Sequence, residues 1–254
     1  MGIPVIYEDA SLIAIDKPAG VVVNRAENVQ QDTIQDWAEE KLKIKSENLP
    51  AGEAGLKVGQ EDFYKRAGIV HRLDKETSGI LLIAKNPEVF LQLQLQFQNR
   101  TVTKKYQTLV HGLVKPPEGL INVPLGRLPW DRKKFGALVS GRPAETSYKV
   151  ISYYQYHNQQ YSFLEVTPHT GRTHQIRIHL KYLGHTVVGD MLYAGRKIYQ
   201  EDLQFCSRLF LHAVYLSFQH PVTFKMIEIN CKLSIPLQSV LNNIYPSQSE
   251  LLRV

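Results

Sequence analysis

The chain of 254 residues reads as an α+β protein in which strands outnumber helices. Three observations predict this class. Apolar runs of strand length recur at residues 12–23, 80–84, 103–112 and 161–166, each bounded by turn-forming residues. Helical spacing is confined to a few short windows. At 43% hydrophobic, the chain can bury a core as one large domain, or as one domain with small elaborations.

The elements follow in order. Residues 12–23, LIAIDKPAGVVV, read as a strand broken at Lys17-Pro18-Ala19-Gly20 into a hairpin, because proline fixes the turn and glycine permits its return. Asp32 and Gln35 can box the start of a helix running to about Ile44, with Ile34, Trp37, Ala38 and Leu42 on one face. The polar stretch 45–61, with three glycines and Pro50, reads as a surface loop. Residues 68–70 and 80–84 read as buried strand on either side of a polar turn. LQLQLQFQ at 91–98 alternates like a strand, yet Asn86-Pro87 is a good helix start and the preceding segment already reads as strand, so helix is expected. A strand over 161–166 leads to a helix opening at Thr173, with Ile176, Leu180 and Leu183 at helical spacing and Gly184 as its stop. Residues 235–244 predict a short helix, after which the last residues should fray.

Two polar segments stand out against this apolar background. The first, HRLDKETSG at 71–79, sets the carboxylate of Asp74 among basic and hydroxyl side chains. Taken alone it could be an ordinary turn whose side chains satisfy their own backbone. The second, HTGRTHQIRIH at 169–179, places Arg177 near a helix start beside that helix's core face. A guanidinium so placed is expensive unless an anion answers it, and Asp74 is the natural candidate. Such a pairing would hold Asp74 ionised.

The formal charge of +6 is unevenly spread. Residues 1–64 carry 6 Lys and Arg against 12 Asp and Glu, whereas residues 65–254 carry 24 against 12. The basic part is the part that bears both polar segments, which favours nucleic acid over other anionic partners. Residues 127–142, RLPWDRKKFGALVSGR, interleave Arg127, Arg132, Lys133, Lys134 and Arg142 with Trp130 and Phe135. Cations there would meet phosphates and exposed rings could stack on unpaired bases; the alternative is a solvated basic hairpin with two core aromatics.

Metal and cofactor chemistry find no sequence support, so no cofactor and no metal site are expected. Cys206 and Cys231 are far apart with no partner at ligand spacing, and read as buried apolar residues in a reducing compartment. His71, His174 and His179 read as structural histidines rather than ligands. Glycine-rich phosphate loops are absent from the sequence. The amino terminus has the pattern of neither a secretory signal nor an acylation site, and no apolar run approaches the roughly 20 residues of a membrane span, so a cytosolic protein without a membrane partner is expected.

Taken together and in this order, KPAG, HRLDKETSG, KKYQTLVHG (104–112) and HTGRTHQIRIHL resemble the RluA-type family of RNA pseudouridine synthases. The resemblance extends through GHTVVGDMLYAG (184–195) and LFLHAVYLSFQHPVT (209–223), so it covers nearly the whole chain, with Thr186 standing where the family pattern has proline. It implies a single catalytic domain over 1–254, built on a long, mostly antiparallel mixed sheet flanked by helices, with a central cleft. It also implies Asp74 as the catalytic carboxylate, Arg177 as its salt-bridge partner, and Tyr106 as the ring that stacks on the target base and is a candidate proton acceptor. Ile176 would lie beneath the uracil, Arg72 would fill the gap left by an extruded nucleotide, and Lys17 and Pro18 would brace the loop that carries Asp74. Residues 127–142 correspond to an RNA-facing hairpin. Because KPAG begins at Lys17, no separate RNA-binding domain is expected ahead of the catalytic one. Substrate choice would then rest on residues 127–142 and on residues 27–65. The expected partner is RNA, ribosomal more than transfer RNA, acted on by a monomer. A silent RNA-binding or RNA-remodelling protein of the same fold is the alternative, and a nucleosidase or glycosidase is disfavoured because such enzymes usually need a second acid carboxylate and no partner for Asp74 is evident.

Overall fold

The computed structural model describes residues 1–25, 31–44 and 60–246, with Gln60, Arg132 and Lys133 described by their backbone alone. Residues 45–59 of the expected surface loop, and the expected fraying of the last residues, lie outside the described residues. In chain order the first elements are β1 (Val5–Glu8), β2 (Leu12–Lys17), α1 (Ile34–Leu42), α2 (Gln60–Lys65), β3 (Ser78–Ala84), α3 (Pro87–Gln98) and β4 (Thr103–His111). There follow β5 (Glu118–Asn122), β6 (Leu125–Leu128), β7 (Asp131–Ala137), β8 (Glu145–Tyr156), β9 (Gln159–Pro168), α4 (Gln175–Tyr182) and α5 (Arg196–Asp202). The last are β10 (Leu211–Gln219), β11 (Met226–Asn230), α6 (Ile235–Asn243) and β12 (Tyr245–Pro246). This is the α+β mixture that the sequence predicts. No helix among the described residues is long and apolar enough to cross a membrane. The chain divides into two compact units, one of residues 1–103 and 215–231, the other of residues 104–214 and 232–254.

In the first unit β2 pairs antiparallel with β1 on one edge and with β3 on the other. All seven residues of β3 are buried, as its continuous apolar run predicts. The apolar core unites Leu12, Ala14, Ile80 and Leu82 of these strands with Phe63, Val89, Phe90 and Leu93 of the helices. The helix over 91–98 forms because Asn86 caps it, its side chain accepting from Val89 N at 2.9 Å, and Pro87 occupies the first turn. That start outweighs the alternation of LQLQLQFQ.

Three expectations for this unit are corrected. Residues 21–23 do not fold back as a hairpin partner of β2, because β1 and β3 occupy both of its edges. Instead the carbonyls of Val22 and Val23 accept the first N–H groups of α1, from Ile34 and Gln35 at 3.0 and 2.9 Å. The helix box is Thr33 with Asp36 rather than Asp32 with Gln35. Gln35 is buried and donates to the Lys65 carbonyl at 3.0 Å. Residues 68–70 form a turn in which only Ile69 bridges to Ile83, and glycine is obligatory at 68, where φ is +74° and a Cβ would meet the Ala84 carbonyl oxygen at 2.1 Å.

In the second unit β9 pairs antiparallel with β4 and β8, while β5 and β12 pair with β8. β6 and β7 form a separate two-stranded hairpin. α4 begins at Gln175, two residues later than the expected opening at Thr173, because His174 adopts the left-handed conformation with φ 56°. It ends at Gly184 as predicted, with the Gly184 N–H on the Lys181 carbonyl at 2.9 Å and φ +88°. Cys206 is fully buried, and burial pushes its thiol up to about 11. Cys231, in the first unit, is half-buried rather than buried; burial and the neighbouring Asp16 carboxylate push its thiol up to about 12.

Candidate active site

In the first unit, Asp74 sits half-buried on a turn closed by the Thr77 N–H, which donates to the Asp74 carbonyl at 3.1 Å. The neighbouring residues fix that turn from several directions. Lys17, at the end of β2, is fully buried and donates through Nζ to the carbonyls of Pro18 (2.7 Å), Val21 (2.8 Å) and Lys75 (3.1 Å). Gly20 N also donates to the Lys75 carbonyl, at 2.8 Å, so the KPAG loop grips the residue next to Asp74 from two sides. His71 stacks on Phe97 with centroids 4.6 Å apart, and its Nε2 accepts the Leu82 N–H at 3.0 Å, which pins the turn to β3. This is a structural histidine with its lone pair on Nε2. Leu73 is buried, whereas Arg72 is exposed, which leaves a cation beside Asp74 on the surface of this unit.

The second unit collects the remaining side chains around α4. Tyr106, half-buried on β4, packs against the apolar cluster that contains Ile176, Leu180, Val166 and Val187. Ile176 is 6% exposed, so the phenol and the aliphatic residue share one floor. Arg177, also buried, makes a bidentate pair with Asp190, Nε to Oδ2 and Nη2 to Oδ1, each at 2.7 Å. The expectation of a carboxylate for Arg177 is met here by Asp190, which sequence reasoning passed over. Asp74 belongs to the other unit. Asp190 Oδ1 also accepts the N–H groups of Leu192 and Tyr193 at 3.0 Å, so this carboxylate is held from four directions. Glycine at 189 is what lets the chain reach this point, since a Cβ there would meet the Arg208 carbonyl oxygen at 2.1 Å.

Tyr193 closes the arrangement. Arg177 Cζ lies 4.9 Å from the centroid of its ring, and its hydroxyl is 2.9 Å from His174 Nδ1. His179 is fully buried and structural, with Nδ1 2.8 Å from Thr146 Oγ1 and Nε2 3.0 Å from the Val123 carbonyl. Gln175 already donates to Thr146 Oγ1, so the hydroxyl proton goes to Nδ1 and Nε2–H donates to Val123. Burial lowers the His179 pKa below its ordinary value, which keeps the ring neutral.

The basic hairpin divides its two aromatics. Trp130 at the tip is 76% exposed, while Phe135 is half-buried and packs toward Tyr193, Ile178 and Leu125. Of the two rings only Trp130 is exposed enough to be open to a base; Phe135 is an anchor. Arg127 and Arg142 are exposed, Arg127 with its guanidinium 5.3 Å from the Phe135 ring, and Lys134 lies 3.7 Å from Asp131. Arg132 and Lys133 are on β7, and their side chains lie outside the described residues.

The first unit thus offers a carboxylate on a clamped turn, and the second offers a tyrosine packed on an apolar floor and a buried guanidinium held by Asp190. The chain belongs to the RNA pseudouridylate synthase family, which matches residues 11–182. It is 40% identical over 230 residues to an uncharacterized RNA pseudouridine synthase of Chloroflexus aurantiacus, covering 90% of this chain and 65% of that protein. It is 33% identical over 256 residues to ribosomal large subunit pseudouridine synthase C of Vibrio vulnificus, covering 96% of this chain and 70% of that one. The chain thus spans about two thirds of the length of such relatives. Among solved structures, human RNA pseudouridylate synthase domain containing 1 matches with a TM-score of 0.71 and 26% identity over 99% of this chain and 94% of that one.

Proposed function

We propose that this protein isomerises uridines of RNA to pseudouridine, with ribosomal RNA the favoured substrate and transfer RNA the second. The reaction breaks the bond from ribose C1′ to uracil N1, turns the detached base and joins C1′ to carbon 5; the proton on carbon 5 leaves and N1 is protonated, so mass is unchanged. Asp74 attacks or deprotonates the sugar, Tyr106 stacks on the base and takes up the carbon 5 proton, and Ile176 supports the uracil. Arg177, held by Asp190, serves as the cationic support of the catalytic carboxylate. Arg72 fills the space of the extruded nucleotide, since unstacking costs a few kcal/mol that protein–RNA interactions must offset. The hairpin cations Arg127, Arg132, Lys133, Lys134 and Arg142 hold the RNA backbone, and Trp130 offers a stacking face. The protein works as a monomer in the cytosol without a cofactor.

The observation that carries this reading is the grip of Lys17 and Gly20 on the Lys75 carbonyl, which fixes the turn holding Asp74 in the motif HRLDKETSG. The test is product analysis on ribosomal RNA from cells lacking the gene. Pseudouridine in intact RNA of unchanged mass supports the reading; free uracil with an abasic site indicates a nucleosidase, and binding without product indicates a silent RNA-binding protein.

A further inference from the structure

The segment GDMLYAG supplies Asp190 to Arg177, yet its tyrosine does more than pack. Tyr193 is 5% exposed, and four neighbours meet on it. One ring face carries the Arg177 guanidinium at 4.9 Å, and the Lys181 ammonium lies 5.6 Å from the same centroid. Two cations drawn to one ring mark it as an electrostatic platform as well as an apolar one. Its hydroxyl accepts the backbone N–H of Phe135 on β7 at 3.4 Å. The same hydroxyl lies 2.9 Å from His174 Nδ1. His174 in turn sits at the start of α4 and meets the Phe135 ring edge-on at 6.2 Å.

One side chain therefore touches the base of the basic hairpin through its hydroxyl and Arg177 through its ring. We propose that Tyr193 is a positioning residue that couples the seating of the RNA-holding hairpin to the orientation of Arg177; this rests on the proposed roles of the hairpin and of Arg177. The two functions lie on different atoms, so they separate by substitution. Tyr193→Phe keeps the ring and removes the hydroxyl. Tyr193→Leu removes both.

The experiment measures RNA affinity, single-turnover rate at saturating RNA and melting for both variants, on ribosomal RNA from cells lacking the gene. Tyr193→Phe should weaken affinity three-fold or more while the saturated rate stays within two-fold of wild type. Tyr193→Leu should weaken affinity to a similar degree and in addition slow the saturated rate ten-fold or more. Wild-type affinity in Tyr193→Phe overturns the coupling, even if Tyr193→Leu does not fold. A saturated rate lowered equally in both variants also overturns it, because the ring would then have no role separate from the hydroxyl. Asp74→Asn and Arg177→Lys run alongside. Should both retain wild-type turnover, the reading of the site fails and this inference falls with it; should both be impaired while the Tyr193 variants behave as wild type, this inference alone fails.

Discussion

Arg177 and Asp190 form a bidentate ion pair with both hydrogen bonds at 2.7 Å and side-chain exposures of only 7% and 0%. Burying two charges costs several kcal/mol that their attraction and added hydrogen bonds must repay, and here Asp190 gains two backbone donors as well. Removing Asp190 takes a bidentate acceptor away from a buried guanidinium. Asp190→Ala should therefore destabilise the protein by about 3–5 kcal/mol, read from urea unfolding, and reduce turnover more than RNA affinity. Unfolding and turnover like those of wild type would show that the pair contributes neither stability nor orientation.

Lys17 is also a buried cation, and three backbone carbonyls accept from its Nζ. Lys17→Met keeps the stem and removes the donor from three acceptors at once. A loss of roughly 2–3 kcal/mol is expected, with a saturated turnover rate reduced while RNA affinity stays near wild type. Loss of affinity with an unchanged saturated rate would place the role of Lys17 in binding.

His179 gives a pH signature. Burial depresses its folded-state pKa below the ordinary value. As pH falls through about 6.5, the unfolded chain takes up this proton before the folded protein does, so the stabilisation is full above that pH and declines below it. Melting followed from pH 7.5 to pH 5 should show falling stability, and His179→Gln should flatten that slope between pH 6.5 and 5. An equally steep slope in the variant would assign the pH dependence to other groups.

The hairpin separates binding from chemistry. Changing Arg132, Lys133 and Lys134 together to Ala should weaken RNA binding and lower the salt slope by roughly 0.7 for each single-strand phosphate that is no longer neutralised. Lys134 already neighbours Asp131 at 3.7 Å, which reduces its share. Single-turnover rate at saturating RNA should change far less than affinity. An unchanged salt slope would mean that the RNA path runs elsewhere, with Arg66, Lys104 and Lys105 the next cations to test.

Much of this was legible in the sequence where a local rule decides the outcome. Asn86-Pro87 predicts α3 against its own alternation, because the first turn of a helix rewards that pair and the strand had no reason to continue past β3. The polar turn around Asp74 stands out because an apolar strand follows it. The misplaced details have one cause, competition for partners that lie far away in sequence. Residues 21–23 look like the return arm of a hairpin, but β2 has no free edge, and their carbonyls serve α1 instead. Asp190 was passed over because nothing local distinguishes it; its signal is a lone carboxylate behind the apolar run Val187-Val188, 13 residues beyond a buried arginine. Tyr193 reads as packing until its hydroxyl partners are known.

If Asp74 performs the chemistry, Asp74→Asn should abolish it. The substitution keeps the size of the side chain and removes its ionisable oxygen. Pseudouridine would be measured on ribosomal RNA from cells lacking the gene, under single-turnover conditions, with melting and RNA affinity determined on the same preparation. No detectable pseudouridine is expected, at near-wild-type melting and affinity; substantial turnover by a verified Asp74→Asn preparation would exclude Asp74 as the catalytic carboxylate.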